Sequence, residues 1–347
     1  GQLRFWWRAT TGCRCASVKD MWEQEAALWG AASLPSQVIM RLESQVGSTE
    51  QVTFNSVANN AGNKFNSRPL AEMREIAYGA FALQPKSGVA QQLPPGIIHS
   101  LQGKTQLTLS APAKRAPEVR QAVEAWLALG GIGGRTRRAF GAVASDPPWS
   151  VAELTEWLNR ATAAARTLSL VPTLCGARWE LTERDFASGT EAMKFGLSAL
   201  QSFRQGVNVG RNPPSPEAAA EHKPAGRSRW PEADCIRRLT RRADQRHARP
   251  LSNIDKIPRA AFGMPIIFHF QSRQDPEDST LRPRNYERMA SPLLIRPVRV
   301  GQTFKCLAVA IAVPDAASQP AVLEGAGPGS APKLVETRLT SEDARNV

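Results

Sequence analysis

The sequence predicts an α+β protein with two sheet-containing halves. Three observations carry this. Amphipathic segments recur at helical spacing, short segments alternate at period two, and Asp146-Pro147-Pro148 breaks the chain between two such series. The expected domains are residues 1–147 and 148–314, the second with a basic insertion at 206–250, followed by a poorly ordered tail at 315–347 rich in Ala, Pro, Gly and Ser.

In the first half, Gln2 to Thr11 reads as a short helix. Leu3, Trp6, Trp7 and Thr10 share one side, and Arg4 and Arg8 stand one turn apart on another. Lys19 to Trp29 reads as a second helix, with Met21, Trp22, Ala26 and Trp29 at helical spacing and Gly30 as its stop. Val38 to Glu43 and Thr105 to Ser110 read as strands. Glu118 to Leu129 is a helix with Val119, Ala122, Val123 and Trp126 as its buried stripe, and Gly130 is expected as a left-handed cap. Ala139 to Ala144 reads as a short strand.

In the second half, Val151 to Leu168 reads as helix, Ala177 to Thr182 as strand and Ala187 to Phe203 as helix. Gly206 to Arg229 reads as a long exposed loop. Trp230-Pro231-Glu232 looks like a helix entry, proline in the first turn and acids near the positive end. Ile236, Leu239 and Ala243 then face inward, while Arg238, Arg242 and Arg246 run along the outside. Phe262 to Gln271, Pro292 to Val300 and Cys306 to Val313 are strand candidates.

The 347 residues suit roughly two domains of about 100–200 residues each. Hydrophobic residues make up 42% and charged ones 22%, the balance of a folded protein. Lys and Arg total 44 against 31 Asp and Glu, a formal charge of +13, which predicts attraction to polyanions; acidic protein partners are the alternative. No apolar run reaches the roughly 18 residues of a membrane span, so no membrane partner is expected. Five cysteines form no CxxC pair, and only Cys13-Arg14-Cys15 is tightly spaced. Reduced cysteines in a cytoplasmic protein without cofactor or metal are the expectation. The chain opens without Met and in mid-pattern, so an N-terminal strand is expected to be missing from the first sheet.

The densest signal lies in the thirteen residues Gly130 to Ala142, GGIGGRTRRAFGA, with five glycines around three arginines. Glycine brings main-chain N–H groups close to a phosphate, and guanidinium supplies planar positive charge. A dinucleotide loop follows a strand and opens a helix, whereas this one follows a helix, and no GK[ST] makes a Walker loop. A tight turn with solvated arginines is the competing reading. Arg4 and Arg8 beside Trp6 and Trp7 suit either core-edge packing or an RNA clamp. From His222 to Arg249 nine Lys and Arg stand against three Asp and Glu, a second polyanion-facing candidate. The four histidines (His99, His222, His247, His269) and two tyrosines (Tyr78, Tyr286) form no pairing that marks a scissile phosphate.

Together, GQLRFWWRA at the start, GGIGGRTRRAFGAV, GRSRWPEA, PRAAFGMPIIFHF and SPLLIRP resemble the RAMP superfamily of CRISPR-associated proteins. Within it they look like the first Cmr subunit of type III-B effector complexes. The resemblance runs from Gly1 to about Val313. It implies two ferredoxin-like (RRM-like βαββαβ) domains, the first lacking its N-terminal strand. It further implies a cytoplasmic, non-catalytic subunit that holds CRISPR RNA near its 3′ end beside other Cmr and RAMP subunits and helps capture complementary target RNA in antiviral defence. The family's glycine loop maps onto Gly130, Gly131, Gly133, Gly134, Arg135, Thr136, Arg137, Arg138 and Gly141; Ala139 stands where family members usually have glycine.

The expected RNA-binding residues are Arg4, Arg8, Gly131, Gly133, Gly134, Arg135, Thr136, Arg137, Arg138, Arg227, Arg229, Arg238 and Arg242. An endoribonuclease of the same superfamily acting on precursor CRISPR RNA through His99 or His222 shares the loop, and a scaffold meeting acidic subunits is the third reading.

Overall fold

The computed structural model describes residues 1–44, 49–52, 54–58, 65–69, 76–80, 98–101, 105–165, 167–168, 171–220, 226–270, 272–312, 320–325 and 331–338. Helix α1 (Gln2–Thr10) buries Trp6, Trp7, Ala9 and Thr10. Trp7 Nε1 donates to Glu118 Oε2 at 2.9 Å, tying α1 to a helix more than a hundred residues later. Helix α2 (Val18–Trp29) starts where the Ser17 hydroxyl accepts the Asp20 N–H at 3.0 Å. It stops at Gly30, whose φ of 84° suits a residue without Cβ.

Three antiparallel pairs follow, one nested inside the next. Strand β1 (Ile39–Ser44) pairs at its two ends Ile39 with Ser110 and Ser44 with Thr105 of a later strand. Strand β2 (Thr49–Val52) pairs with β5 (Ile98–Leu101), and β3 (Phe54–Ala58) with β4 (Phe65–Pro69). The partner of β1 is β6 (Thr105–Ser110). Helix α3 (Ala116–Leu129) buries Val119, Ala122, Ala125, Ala128 and Leu129 at helical spacing; Val123 and Trp126, expected in that stripe, are half-buried.

Helix α4 (Val151–Ala163) opens on a capping box, in which Ser150 and Glu153 satisfy each other's backbone N–H. Strand β7 (Thr173–Leu181), helix α5 (Gly189–Gln205) and the short helix α6 (Pro216–Ala220) come next. Helix α7 (Glu232–Thr240) is followed by β8 (Ile266–Phe268), β9 (Ser279–Pro283), β10 (Leu293–Val300), β11 (Thr303–Ala312), β12 (Ala321–Glu324) and β13 (Lys333–Val335). Strands β10, β11 and β7 form one sheet in that order, and β13, β12, β9 and β8 another. The class is α+β with several antiparallel sheets.

The residues group into two units. The first comprises Gly1–Leu168, Thr173–Ser198 and Leu294–Ala308; the second comprises Ser169–Pro172, Ala199–Leu293 and Val309–Val347. These units interleave in sequence, so a single cut at residue 147 does not describe them. Helix α4, expected to open the second domain, lies in the first unit. Strand pairing sets the grouping, because a sheet can recruit segments from anywhere in the chain.

Several expectations are corrected. Residues 321–324 and 333–335, within the segment read as a poorly ordered tail, are strands. Ala321, Leu323 and Val335 are buried in one core with Cys235, Ile236, Ile257 and Leu281. Ala139 to Ala144 is not a strand: Ala139 and Gly141 have φ of 70° and 66°, and a strand needs extended backbone. Gly130 is not a left-handed cap, its φ being −87°. Helix α7 ends at Thr240 with Arg241 in the left-handed region, so Arg242 and Arg246 do not continue a stripe along it. Gly206 to Arg229 carries the short helix α6, and Arg211 bridges both Val207 and Ser228. His222 lies outside the described residues.

Candidate nucleic-acid interface

The glycines of Gly130 to Gly141 divide by task. At Gly130 a Cβ would fall 2.4 Å from Trp126 Cδ1 and 2.6 Å from Trp6 Nε1, so this glycine lets the chain leave α3 between two indoles. Gly131 and Gly141 press backbone on backbone: a Cβ on Gly141 would lie 1.8 Å from Ile132 O, and one on Gly131 2.7 Å from Gly141 O. The Ile132 N–H donates to Gly141 O at 2.8 Å and closes the loop's neck. Gly133 and Gly134 are different. Both are exposed, and nothing lies within 4 Å of where either Cβ would be. They form an open tip whose main chain a ligand can approach closely.

Behind the tip, Arg135 takes φ 62°, and its Nε donates to Gly79 O at 2.7 Å. The Arg138 N–H donates to Arg135 O at 2.7 Å, a tight turn that sets all three arginines on one short arc. Arg137 stacks its guanidinium over the Phe5 ring, 5.6 Å from the centroid, and Arg138 Nη1 donates to Arg137 O at 3.0 Å. Thr136 is half-buried in the same turn. Burial pushes the Arg135 and Arg137 guanidinium groups down from their ordinary pKa values. A partly dehydrated cation gains more from an approaching anion than a fully hydrated one. Below the loop, the Ile295 N–H of β10 donates to Arg137 O at 3.3 Å, and Arg138 and Ile295 form a parallel bridge.

The first-unit residues Arg4 and Arg8 are committed elsewhere. Arg4 Nη2 donates to Trp29 O and Gly30 O, both at 2.6 Å, and so caps the carbonyl end of α2. Arg8 binds both oxygens of Glu25, and that bond raises the guanidinium above its ordinary pKa. These arginines close the α1–α2 contact, while Phe5 between them meets Arg137.

In the second unit the expected basic residues also have protein partners. Arg227 bridges Asp234 Oδ1 and Arg249 O, both at 2.8 Å. Arg229 donates to Asn208 O. Arg238 holds Asp255 Oδ1 and Ser252 O at 2.6 Å and Ile254 O at 2.9 Å. Arg242 meets Glu277 at 3.2 Å and Arg273 O at 3.0 Å. His247 pairs with Asp275 and His269 with Asp278. His99 lies in β5.

Buried Cys13 and Cys175 lie with Sγ atoms 3.4 Å apart, and burial foremost pushes the Cys13 thiol up to about 11. A thiol that resists ionisation is a poor metal ligand. Among the described residues no group of three or more His, Cys, Asp or Glu is placed to hold a metal ion, and no helix is long and apolar enough to cross a membrane.

Sequence reading identifies the glycines and arginines of the loop but misses Phe5, Gly79 and Ile295, which support them. Phe5 stands inside GQLRFWWRA and Ile295 inside SPLLIRP, two of the segments that carry the family resemblance. Gly79 left no such mark.

A family model described as the RAMP superfamily matches residues 1–144. Among solved structures the chain is similar to the crystal structure of Cmr1 from Pyrococcus furiosus in its apo form. The two are 16% identical, with 90% of this chain and 78% of that one covered and a TM-score of 0.46. It is also similar to a chain in the cryo-EM structure of the type III-B Cmr-beta bound to cognate target RNA. There the identity is 9%, covering 99% of this chain and 89% of that one, with a TM-score of 0.45. No curated protein sequence matches the chain.

Proposed function

We propose that this chain, whose residues 1–144 match a model of the RAMP superfamily, is a non-catalytic RNA-binding subunit of a type III-B CRISPR effector. In this reading it is built on two ferredoxin-like units, holds CRISPR RNA near its 3′ end beside other Cmr subunits, and helps capture complementary target RNA. The observation that carries the reading is the open Gly133-Gly134 tip beside Arg135, Arg137 and Arg138. Exposed main chain with guanidinium groups on one arc suits sugar-phosphate backbone and not base edges. Sequence selection would then belong to pairing between guide and target. The formal charge of +13 supports a polyanionic partner.

The test compares the full chain with an Arg135/Arg137/Arg138→Ala variant, titrated into fluorescent single-stranded RNA at low salt. The expected result is an affinity loss of about tenfold or more with melting preserved, because three charge-assisted phosphate contacts go together. Equal affinity removes the loop from the interface.

The second reading is an endoribonuclease acting on precursor CRISPR RNA. Tyr78 favours it, since it adjoins Gly79, whose carbonyl accepts from Arg135 Nε at 2.7 Å, and so a tyrosine stands beside the loop. Site-specific, metal-independent cleavage of repeat RNA, lost in Tyr78→Phe, would replace the first reading with this one.

A further inference from the structure

Arg296, in β10, is buried at 2% exposure. Its Nη2 donates to Leu127 O at 2.6 Å and to Val143 O at 3.0 Å. Nε and Nη1 have no hydrogen-bond partner, and among the described residues no carboxylate neutralises the group. Burial pushes this guanidinium down to about 9.

A buried cation without a counter-ion is costly, and an apolar side chain of similar volume usually serves the core at least as well. What an apolar side chain cannot do is donate hydrogen bonds to two carbonyls at once. Leu127 lies in the last turn of α3, where carbonyls lack intrahelical partners. Val143 lies just past Gly141. One nitrogen therefore spans both ends of the glycine loop. The neighbouring residue, Ile295, holds the loop's middle through its main chain at Arg137 and Arg138.

We propose that Arg296 is a positioning residue for the glycine loop: by clasping Leu127 O and Val143 O on one guanidinium nitrogen, it sets the spacing at which the open tip and its arginines meet an RNA backbone. The proposal rests on the RNA-binding reading of the loop. It assigns a task to a residue that makes no contact with the ligand itself.

The experiment uses the full chain carrying Arg296→Met, which keeps length and bulk but donates nothing, and Arg296→Lys, which can reach one carbonyl. Three readouts are taken: thermal melting, hydrogen exchange at the Ile132 and Arg138 amides, and affinity for single-stranded RNA. In Arg296→Met we expect melting within a few degrees of the parent and exchange of both loop amides at least tenfold faster. The Thr11 amide, bonded to Trp7 O in α1, keeps its protection. RNA affinity falls about tenfold, and combination with the Arg135/Arg137/Arg138→Ala variant adds no further loss, because both changes act through one element. Arg296→Lys recovers part of the affinity.

Unchanged loop exchange and affinity in Arg296→Met would overturn the proposal, as would losses that add in the combined variant. If Arg296→Met does not fold, the same readouts on Arg296→Lys decide, with intermediate loop exchange expected and parental exchange refuting. If the parent chain binds no RNA, the reading of the loop fails, while the exchange measurement still determines whether Arg296 holds it.

Discussion

Arg8 closes a two-pronged ion pair on Glu25, whose side chain is only 4% exposed, while Arg4 reaches the same carboxylate at 3.4 Å and the last carbonyls of α2. The WWR opening thus welds α1 to α2. Glu25→Gln removes the negative charge that two arginines share and turns one acceptor oxygen into a donor facing Arg8, and is expected to lower stability by about 2 kcal/mol, below the range for a wholly buried pair because both guanidinium groups are partly solvated. Urea unfolding checks this. A midpoint shift without change in slope is the expected signature.

The glycines of the loop should separate sharply under alanine substitution. Gly141→Ala puts a Cβ 1.8 Å from Ile132 O at a φ of 66° and is expected to cost about 3 kcal/mol or more. Gly134→Ala meets open space and should stay within about 0.5 kcal/mol. Gly133→Ala, also in open space but at φ 81°, should cost about 1 kcal/mol from backbone strain alone. Thermal melts of the three variants test the order.

RNA binding should weaken linearly in log affinity against log salt as condensed counterions are released. Each phosphate contact on a single strand contributes a slope of about −0.7, so removing Arg135, Arg137 and Arg138 should reduce the slope's magnitude by about 2. Titrations between low and physiological salt measure it. An unchanged slope would show that these side chains meet no phosphate.

Acid should weaken the second unit through its buried carboxylates. Hydrogen bonds from the Arg246 side chain and from Ser272 hold the Asp244 carboxyl well below the usual range. At Asp275 burial pushes upward, but the Arg237 side chain, the Asp244 N–H and the charges of Arg237 and His247 outweigh it, leaving that carboxyl below its ordinary value. Both folded-state values lie under the unfolded ones, so this stabilisation is complete above about pH 4 and is lost as pH falls through the acid range. Melting followed from neutral pH to pH 3 should decline, and Asp244→Asn, which cannot lose that charge, should start lower and decline less.

Local chemistry was the legible part of the chain. Gly30 as the stop of α2 and the acid-rich entry of α7 at Trp230-Pro231-Glu232 each act within a turn or two, so reading a few residues suffices. The glycine loop was legible for the same reason. The strand expected at Ala139 to Ala144 failed because its apolar run hid two positive-φ positions, one at a non-glycine residue. Several arginines in the basic run from His222 to Arg249 have carboxylate partners that the run itself does not show. Asp255, Asp275 and Glu277 all lie beyond it in sequence, and the fold brings them to Arg238, Arg237 and Arg242.

By itself the sequence determined the α+β class, the positions of α1, α2 and α3, and a phosphate-suited loop of glycines and arginines, because each depends on neighbours within a few residues. Only the tertiary structure decided which cations are committed and what supports the loop. Arg8 meets Glu25 seventeen residues away, and Arg296 meets Leu127 across 169 residues. The Ala- and Gly-rich end of the chain holds strands for the same reason: β12 pairs with β9, and the apolar side chains of Ala321 and Leu323 have a core to enter. Such contacts form when hydrophobic burial brings distant segments together, and no local pattern of residues records them.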